Sequence, residues 1–460
     1  MQKKRLLLCS LAVAALFSAG ADAKVSKQEA AKLGTELTPF GAIKEGNKDG
    51  TIPKWEGGFS TPPKEYQRAG QHHPDPFKAD KVKFSIDAKN AAKYADKLTP
   101  GVKALLDAYP ASFSLPVYQS RRTHTTPDFV IKNTQKNAET AELTKGGNGI
   151  KGAYGGVPFP ILTGNDEEMA LQAMWNHLTR WRGIFVTRRS SEVNVQRNGE
   201  FNPVTSQQEV FWNFYNPNGS EKTLDNILFY YLSFIIEPAR LAGGAVLLHE
   251  TLDQVKQPRE AWGYNSGQRR VRRAPNLAYD SPIAAADNLR TADDTDMYNG
   301  SPDRYSWSYK GLKEIYIPYN NYAISQAGLP YKSVLGVSHI EPQYTRWELH
   351  RVHVVEANLK KGERHIYKKR VFYIDEDSWS VALVDQYDAR GELWRVSMAF
   401  LKNFYELPGV WTAFDVFYDL QARRYHVQGL DSEQRETRIF ENKDPGDRYF
   451  KPQSLRRRGH

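Results

Sequence analysis

The stretch YNSGQRRVRRAP, residues 264 to 275, sets four arginines around one valine. On an extended chain Arg270 and Arg272 share one face, while Arg269, Val271 and Arg273 share the other. Guanidinium forks at this spacing grip phosphate or carboxylate head groups bidentately. They serve equally well as partners for the aspartates that follow. DDTD, residues 293 to 296, offers carboxylates beside Asn299. They suit a cation, but with Thr291 ahead they also read as a capped helical turn, which fits better. Asp293 and Asp296 are in addition the pair on which a carboxylate-dependent envelope hydrolase would rest. EGNKDGTIPKWE, residues 45 to 56, places Glu45, Asn47, Asp49 and Glu56 where a calcium loop wants oxygen ligands, with Gly50 at the turn. Glutamate replaces the usual first aspartate, and Pro39 and Pro53 rule out the flanking helices. Asn47, Asp49 and Gly50 then build a turn, and Trp55 pins the coil to the body.

Other motifs fail on context. His350 and His353 are three apart, and on a strand that spacing sends them to opposite faces, so they do not share a metal. HETLD at 249 to 253 lacks the second histidine of a zincin. GNGIKG at 147 to 152 runs into Ala-Tyr-Gly-Gly-Val-Pro, so no helix follows to cradle a phosphate. GVSHI at 336 to 340 misses the closing glycine of a nucleophile elbow. No cofactor and no metal follow from these motifs.

The elements that would hold such residues begin with a leader. MQKKRLLLCSLAVAALFSAGADAKV has a basic start, an apolar middle and an A-x-A site ending at Ala23. That is a secretory signal peptide over residues 1–23, and it implies a periplasmic protein. Its removal takes away Cys9, the chain's one cysteine, so disulfides and thiolate chemistry are excluded. The net charge of +10 on 460 residues points to anionic head groups or an acidic envelope surface as partners, and not to nucleic acid in that compartment.

Residues 24–160 read as an extended and short-helical segment wrapping the body. Ser26 and Glu29 form a capping box. The best helix covers about 166–182, where Leu171, Met174, Trp175, Leu178 and Trp181 make one apolar stripe. From there the period is 2. Strands are predicted at 184–197, 207–215, 227–237, 244–254, 260–264, 268–273, 312–318, 344–357, 366–375, 379–387, 392–401 and 410–420. Turn chemistry at Asn198-Gly199 and Arg390-Gly391 joins them into an antiparallel meander. Residues 426–460 form a basic tail.

Several strands are apolar on both faces, notably ILFYYLSFII (227–236) and WTAFDVFYDL (411–420). Few helices are available to cover them. The expected fold is therefore mainly β within the α+β class: over 161–425, a large curved antiparallel sheet forming an open half-barrel. Its interior is either packed core or a lipid-sized cavity. Lining residues would be Phe211, Tyr231, Phe234, Trp262, Trp307 and Trp394, with Arg270 and Arg272 at the mouth.

The segments LTPFGAIKEGNKDGTIPKWEGG, YPASFSLPVYQSRRT, WNHLTRWRG, GYNSGQRRVRRAP, TADDTDMYNGSPDRYSW and FYIDEDSWSVALVDQYDARGELWRV occur in this order. The chain resembles, over nearly its whole mature length, a proteobacterial family of unknown function labelled outer-membrane lipoprotein-sorting-like. The resemblance implies a fold like that of the Lol-type lipoprotein carriers and no catalytic residues. It implies a structural turn, not a calcium site, at 45–56. It also implies as partners an outer-membrane β-barrel and a permease of the resistance–nodulation–division type. The resulting expectation is a non-enzymatic carrier for a lipid, acyl chain or aromatic compound moving between the two membranes. A structural adaptor of an envelope transport assembly, without cargo, is the alternative from another class.

Overall fold

The computed structural model describes residues 25–274, 279–446 and 448–458, so the expected signal peptide over 1–23 lies outside the described residues. Ser26 accepts the Glu29 amide while the Glu29 carboxylate takes the Ser26 amide, opening α1 (Lys27–Ala30). Thr99 caps α2 (Pro100–Ala108), whose proline sits in the first turn, where no amide is needed. α3 spans Asp128–Thr140. Asn165 takes the amides of Glu167 and Glu168 to start α4 (Asp166–Thr179). Its stripe is buried as expected, but so are Gln172, Asn176 and His177 on its other sides. α4 is therefore an interior helix. α5 (Tyr331–Val334) and α6 (Pro452–Arg458) are short.

The strands run in chain order as β1 (Phe84–Ile86), β2 (Leu115–Val117), β3 (Glu142–Leu143), β4 (Ile150–Lys151), β5 (Phe185–Val195) and β6 (Val204–Phe211). Next come β7 (Ile227–Glu237), β8 (Ala245–Thr251), β9 (Glu260–Asn265), β10 (Arg270–Arg273), β11 (Tyr305–Pro318) and β12 (Trp347–Leu359). The series closes with β13 (Lys369–Asp375), β14 (Val381–Tyr387), β15 (Leu393–Phe404), β16 (Gly409–Asp419), β17 (Arg424–Leu430) and β18 (Ile439–Glu441). β3 and β4 form a ribbon of their own. The other strands make one sheet in the order β1-β2-β12-β13-β14-β15-β16-β17-β5-β6-β7-β8-β9-β10, with β11 on β12 and β18 on β5. Pairing is antiparallel except for the single β2–β12 bridge, Val117 to Trp347.

The expected half-barrel is not formed. The path ends at β1 and β10 without closing, and the sheet is not strongly curled. The expectation rests on the premise that too little chain exists to cover two apolar faces, and that premise fails. Asp385 on β14 accepts the Gly101 amide of α2 at 2.9 Å. Its neighbour Gln386 donates to Asp294 at 2.7 Å, in the turn Ala292–Met297. Adjacent strand residues point to opposite faces, so both faces of β14 are covered without any curl.

Coil does much of the covering. Trp379 donates its indole N–H to the Phe40 carbonyl at 2.9 Å, and Trp55 donates to the His124 carbonyl at 2.9 Å. Arg122 forks onto Asp377 at 2.9 and 2.7 Å and reaches the Ile43 carbonyl at 2.8 Å. Arg351 bridges Glu376 at 2.5 Å and the carbonyls of Ile43 and Glu45. Residues 40 to 55 are thus strapped across the turn that follows β13. Gly41 makes the strap possible. Its φ is +100°, and a Cβ there would lie 1.7 Å from the Pro160 carbonyl oxygen.

Candidate functional site

The pairing of β5 to β10 sorts the arginines and aromatics onto two faces. Arg188, Gln208, Ser233, Val246, Gly263 and Arg272 are successive register partners and so form one cross-strand row. Beside it run Val210, Tyr231, Leu248 and Ala261. Toward β10 this face is open, and Val246 is 44% exposed. Toward β5 it runs under the Ala292–Met297 turn, where a pocket of about 70 Å³ lies. Arg182, Arg188, Trp212, Tyr231, Asp296, Trp411 and Asp415 surround it.

The electrostatics of this pocket are unbalanced. Asp296 answers two guanidiniums at once, Arg180 at 2.6 Å and Arg182. Burial pushes Asp296 up, but the two arginines outweigh it and hold the carboxylate well below its usual range. Burial, with Asp296 nearby, drives Asp415 up to about 7, so near neutrality it is only partly charged. Burial, then the neighbouring Arg180, brings Arg182 down to about 9. Arg180 and Arg182 therefore share the one carboxylate of Asp296, and Arg188, with Glu192 on its own strand, and Arg438 share the partly charged Asp415. Polar atoms also stand unpartnered: Arg182 Nε, the Trp212 indole N–H and Asp415 Oδ1 are buried without a hydrogen bond. Such groups cost free energy unless something polar meets them. The Arg182 guanidinium lies over the Trp212 ring at 3.7 Å, and Arg188 over Trp411 at 5.6 Å. Arrays of this kind recognise an acidic group on a molecule with an apolar body.

A larger groove of about 930 Å³ runs past Phe59, Phe77, Tyr118, Tyr322 and Tyr344. Its one arginine is already matched, Arg346 holding Glu348 at 2.5 Å and Asp80 at 2.8 Å, His73 meets Glu406 at 2.9 Å, and Lys64, Glu65 and Lys78 at its rim are exposed to solvent. The larger groove leaves His73 Nδ1 unpartnered, whereas the smaller pocket gathers three such atoms, on Arg182, Trp212 and Asp415, and that concentration, not size, singles it out.

The residues expected to line a cavity are scattered. Tyr231 reaches the pocket, and Arg270 and Arg272 are exposed on the same sheet face. Phe211 lies on the opposite face, stacked with Tyr230 and Phe450. Trp262 meets the His249 ring edge-on at 4.7 Å, and Phe234 is half-buried on that side. Trp307 is buried against Phe372 and donates to the Pro302 carbonyl at 2.8 Å. Trp394 carries Arg395 over its ring at 4.0 Å. Sequence reasoning misses Arg182, Arg188, Trp212 and Trp411; RWRG and the position of Arg188 on a strand apolar at both ends are the available signals.

Thr291 caps the Ala292–Met297 turn as its spacing suggests. Asp293 is buried on Arg370 at 2.9 Å and His365 at 3.2 Å, while Asp296 serves the pocket. Both carboxylates are held ionised in separate ion pairs, and neither offers a proton to a leaving group. In the 45–56 loop Asn47 accepts the Ile52 amide at 2.9 Å, and Glu45 is engaged by Lys54 at 2.6 Å.

An α+β fold on an open, mostly antiparallel sheet, with no catalytic residue cluster among the described residues, is the class these features define. The chain belongs to the family described as protein of unknown function (DUF1329), whose model matches residues 85–456. It is 45% identical over 441 residues to an uncharacterized protein of Pseudomonas aeruginosa, spanning 95% of this chain and 94% of that one. Among solved structures it is similar to a DUF1329 family protein from Desulfovibrio piger, at 12% identity and a TM-score of 0.44 over 64% of this chain and all of the other. It is also similar to a putative outer membrane lipoprotein-sorting protein domain from Vibrio parahaemolyticus, at 12% identity and a TM-score of 0.42 over 63% and 98%.

Proposed function

We propose that this is a non-enzymatic periplasmic binding protein for an amphipathic molecule with an acidic head group. The observation that carries the reading is the cationic excess with unpartnered polar atoms in the Arg182–Arg188–Trp212 pocket, at the inner end of an open apolar sheet face. The pocket volume of about 70 Å³ exceeds the roughly 10–15 Å³ that a water needs but falls far below the about 300–1,000 Å³ of a site that swallows a drug-sized ligand. A carboxylate or phosphate group fits inside; an acyl chain does not. The chain lies outward along Tyr231, Leu248 and Val246, where each methylene it covers is worth at most about 0.8 kcal/mol. Arg270 and Arg272 flank that track and help with a second charge or an anionic membrane surface. Transfer between membranes, with a barrel and a permease as partners, is the transport role in which such binding would be used.

The test is saturable binding of a fluorescent dodecanoic acid, with Arg188→Met as the paired variant. The substitution removes a charge-assisted hydrogen bond worth about 1.5–3 kcal/mol, so affinity should fall by roughly ten- to a hundredfold. A chain that binds no apolar acid, and carries none in an organic extract of protein purified from periplasm, favours the cargo-free adaptor instead.

A further inference from the structure

The strap across the β13 turn closes over a side-chain group that the binding reading does not use. Four guanidiniums are matched to four carboxylates around this joint: Arg121 and Arg346 to Asp80, Arg346 to Glu348, Arg351 to Glu376, and Arg122 to both Glu376 and Asp377. Asp375 is the fifth carboxylate and has no guanidinium. It is fully buried. Its Oδ2 is fixed by the Ser378 hydroxyl at 2.6 Å and amide at 3.0 Å. Its Oδ1 has no hydrogen-bond partner. That oxygen is 3.7 Å from His350 Nδ1, beyond hydrogen-bonding range.

We propose that His350 Nδ1, Asp375 Oδ1 and one Asp377 oxygen are the protein ligands of a divalent transition-metal ion, with zinc the best match. The three ligand atoms lie within 4.8 Å of one another. Two donors bound at about 2.0–2.1 Å in a tetrahedral site stand roughly 3.3 Å apart, so a few tenths of an ångström of contraction seats the first pair. The surroundings are those of a metal-binding histidine. His350 Nε2 meets Glu348 at 3.0 Å, the carboxylate contact that fixes ring orientation and leaves the other nitrogen to the metal. The Tyr319 ring stacks on His350 at 4.1 Å and holds it in plane. Arg122 occupies one lone pair on each Asp377 oxygen, and a carboxylate has about four such sites. One imidazole with two carboxylates is a donor set that suits zinc over calcium or magnesium, which want more oxygens.

A divalent cation here more than offsets the one carboxylate that the arginines leave over. The competitor is a proton on His350, since Glu348 and Asp375 outweigh burial and raise its basicity. The position of the site also gives the ion a job. It sits where Arg122 and Arg351 tie residues 43 to 45 to the sheet, so it would staple the N-terminal coil in place.

The full mature chain, stripped with a chelator and titrated with Zn²⁺, decides the matter. The expected result is about one zinc per chain, with affinity lowered at least about tenfold in His350→Gln and in Asp375→Asn. Loading should also protect residues 40 to 55 from limited proteolysis. Co²⁺ added to the unaltered chain gives a readout that needs no variant, a visible absorption band rising to a one-to-one endpoint. No cobalt band and no zinc uptake overturns the proposal. So does zinc bound equally well by both variants when both fold, which would place the metal elsewhere on the chain.

Discussion

The Arg182 guanidinium stacks on the Trp212 indole at 3.7 Å while the indole N–H and Arg182 Nε both lack partners. The stack satisfies the charge from one side only, and the unpartnered N–H groups mark where a ligand oxygen would meet them. Trp212→Phe keeps an aromatic face beneath the guanidinium and deletes one donor. Stability should fall by only about 1–2 kcal/mol for the volume lost beside Phe229, since no hydrogen bond within the protein is removed. Affinity for a fluorescent dodecanoic acid should fall about three- to tenfold. Denaturant midpoints and a binding isotherm on the same sample separate the two effects.

Val246→Asp tests the outward track. Val246 is 44% exposed in the row between Arg188 and Arg272, so the substitution should move stability by no more than about 0.5 kcal/mol. It places a negative charge where the apolar chain would lie. Binding of the fatty-acid probe should weaken severalfold, and binding of inorganic phosphate should change little.

Asp385 makes stability fall with rising pH. Burial, against the opposing bonds from Tyr373 and Gly101, pushes its pKa up to about 7. An aspartate in the unfolded chain titrates near about 3.9, so between those values the folded state holds the extra proton. Stability from this group is full below about pH 4 and is lost progressively as pH climbs from there through about 7. Asp385→Asn, followed by thermal melts from pH 4 to 8, should flatten that part of the profile. A slope identical to the parent's would contradict the assignment.

Gly41→Ala should be severely destabilising. A φ of +100° strains any residue with a side chain, and the added methyl meets the Pro160 carbonyl at 1.7 Å. A loss of at least about 2 kcal/mol is expected, with the Phe40–Trp379 contact the first to loosen. Tryptophan fluorescence of the native state reports that loosening.

Period and turn chemistry carry most of the fold. They place β7 at its observed bounds, and β5, β13, β14, β15 and β16 within a few residues, because the side chains alternate and the ends carry turn residues. They do not reveal β17 and β18. RYHVQGL and IFE are short, and the arginines, aspartates and glutamates around them drown the alternation. The global shape escapes them for a related reason. Coil that covers a sheet, such as residues 40 to 55, has no period, so the sequence shows through Trp55 that it is pinned to the body but not how much of the sheet it buries. Local arrangements are legible only where one element supplies them: Thr291 with its cap, or the shared exposed face of Arg270 and Arg272. The Arg182–Asp296–Asp415 pocket joins residues from after α4, the 292–297 turn and β16, and spacing cannot bring those together. The triplet Asp375-Glu376-Asp377 reads as turn chemistry. It is a turn, but Glu376 and Asp377 point into Arg351 and Arg122, and Arg122 lies far away in sequence.

Paired brominated fatty acids test the central claim most directly, because bromine quenches only nearby tryptophan. Dodecanoic acid brominated beside its carboxylate should quench the chain's fluorescence more than the same acid brominated at its far end; the excess should shrink in Trp212→Phe and vanish when Trp411, 6.4 Å away in the same pocket, is replaced by Phe as well. Equal quenching by both acids, or an excess that survives the removal of both Trp212 and Trp411, would contradict a head group held between Arg182 and Arg188.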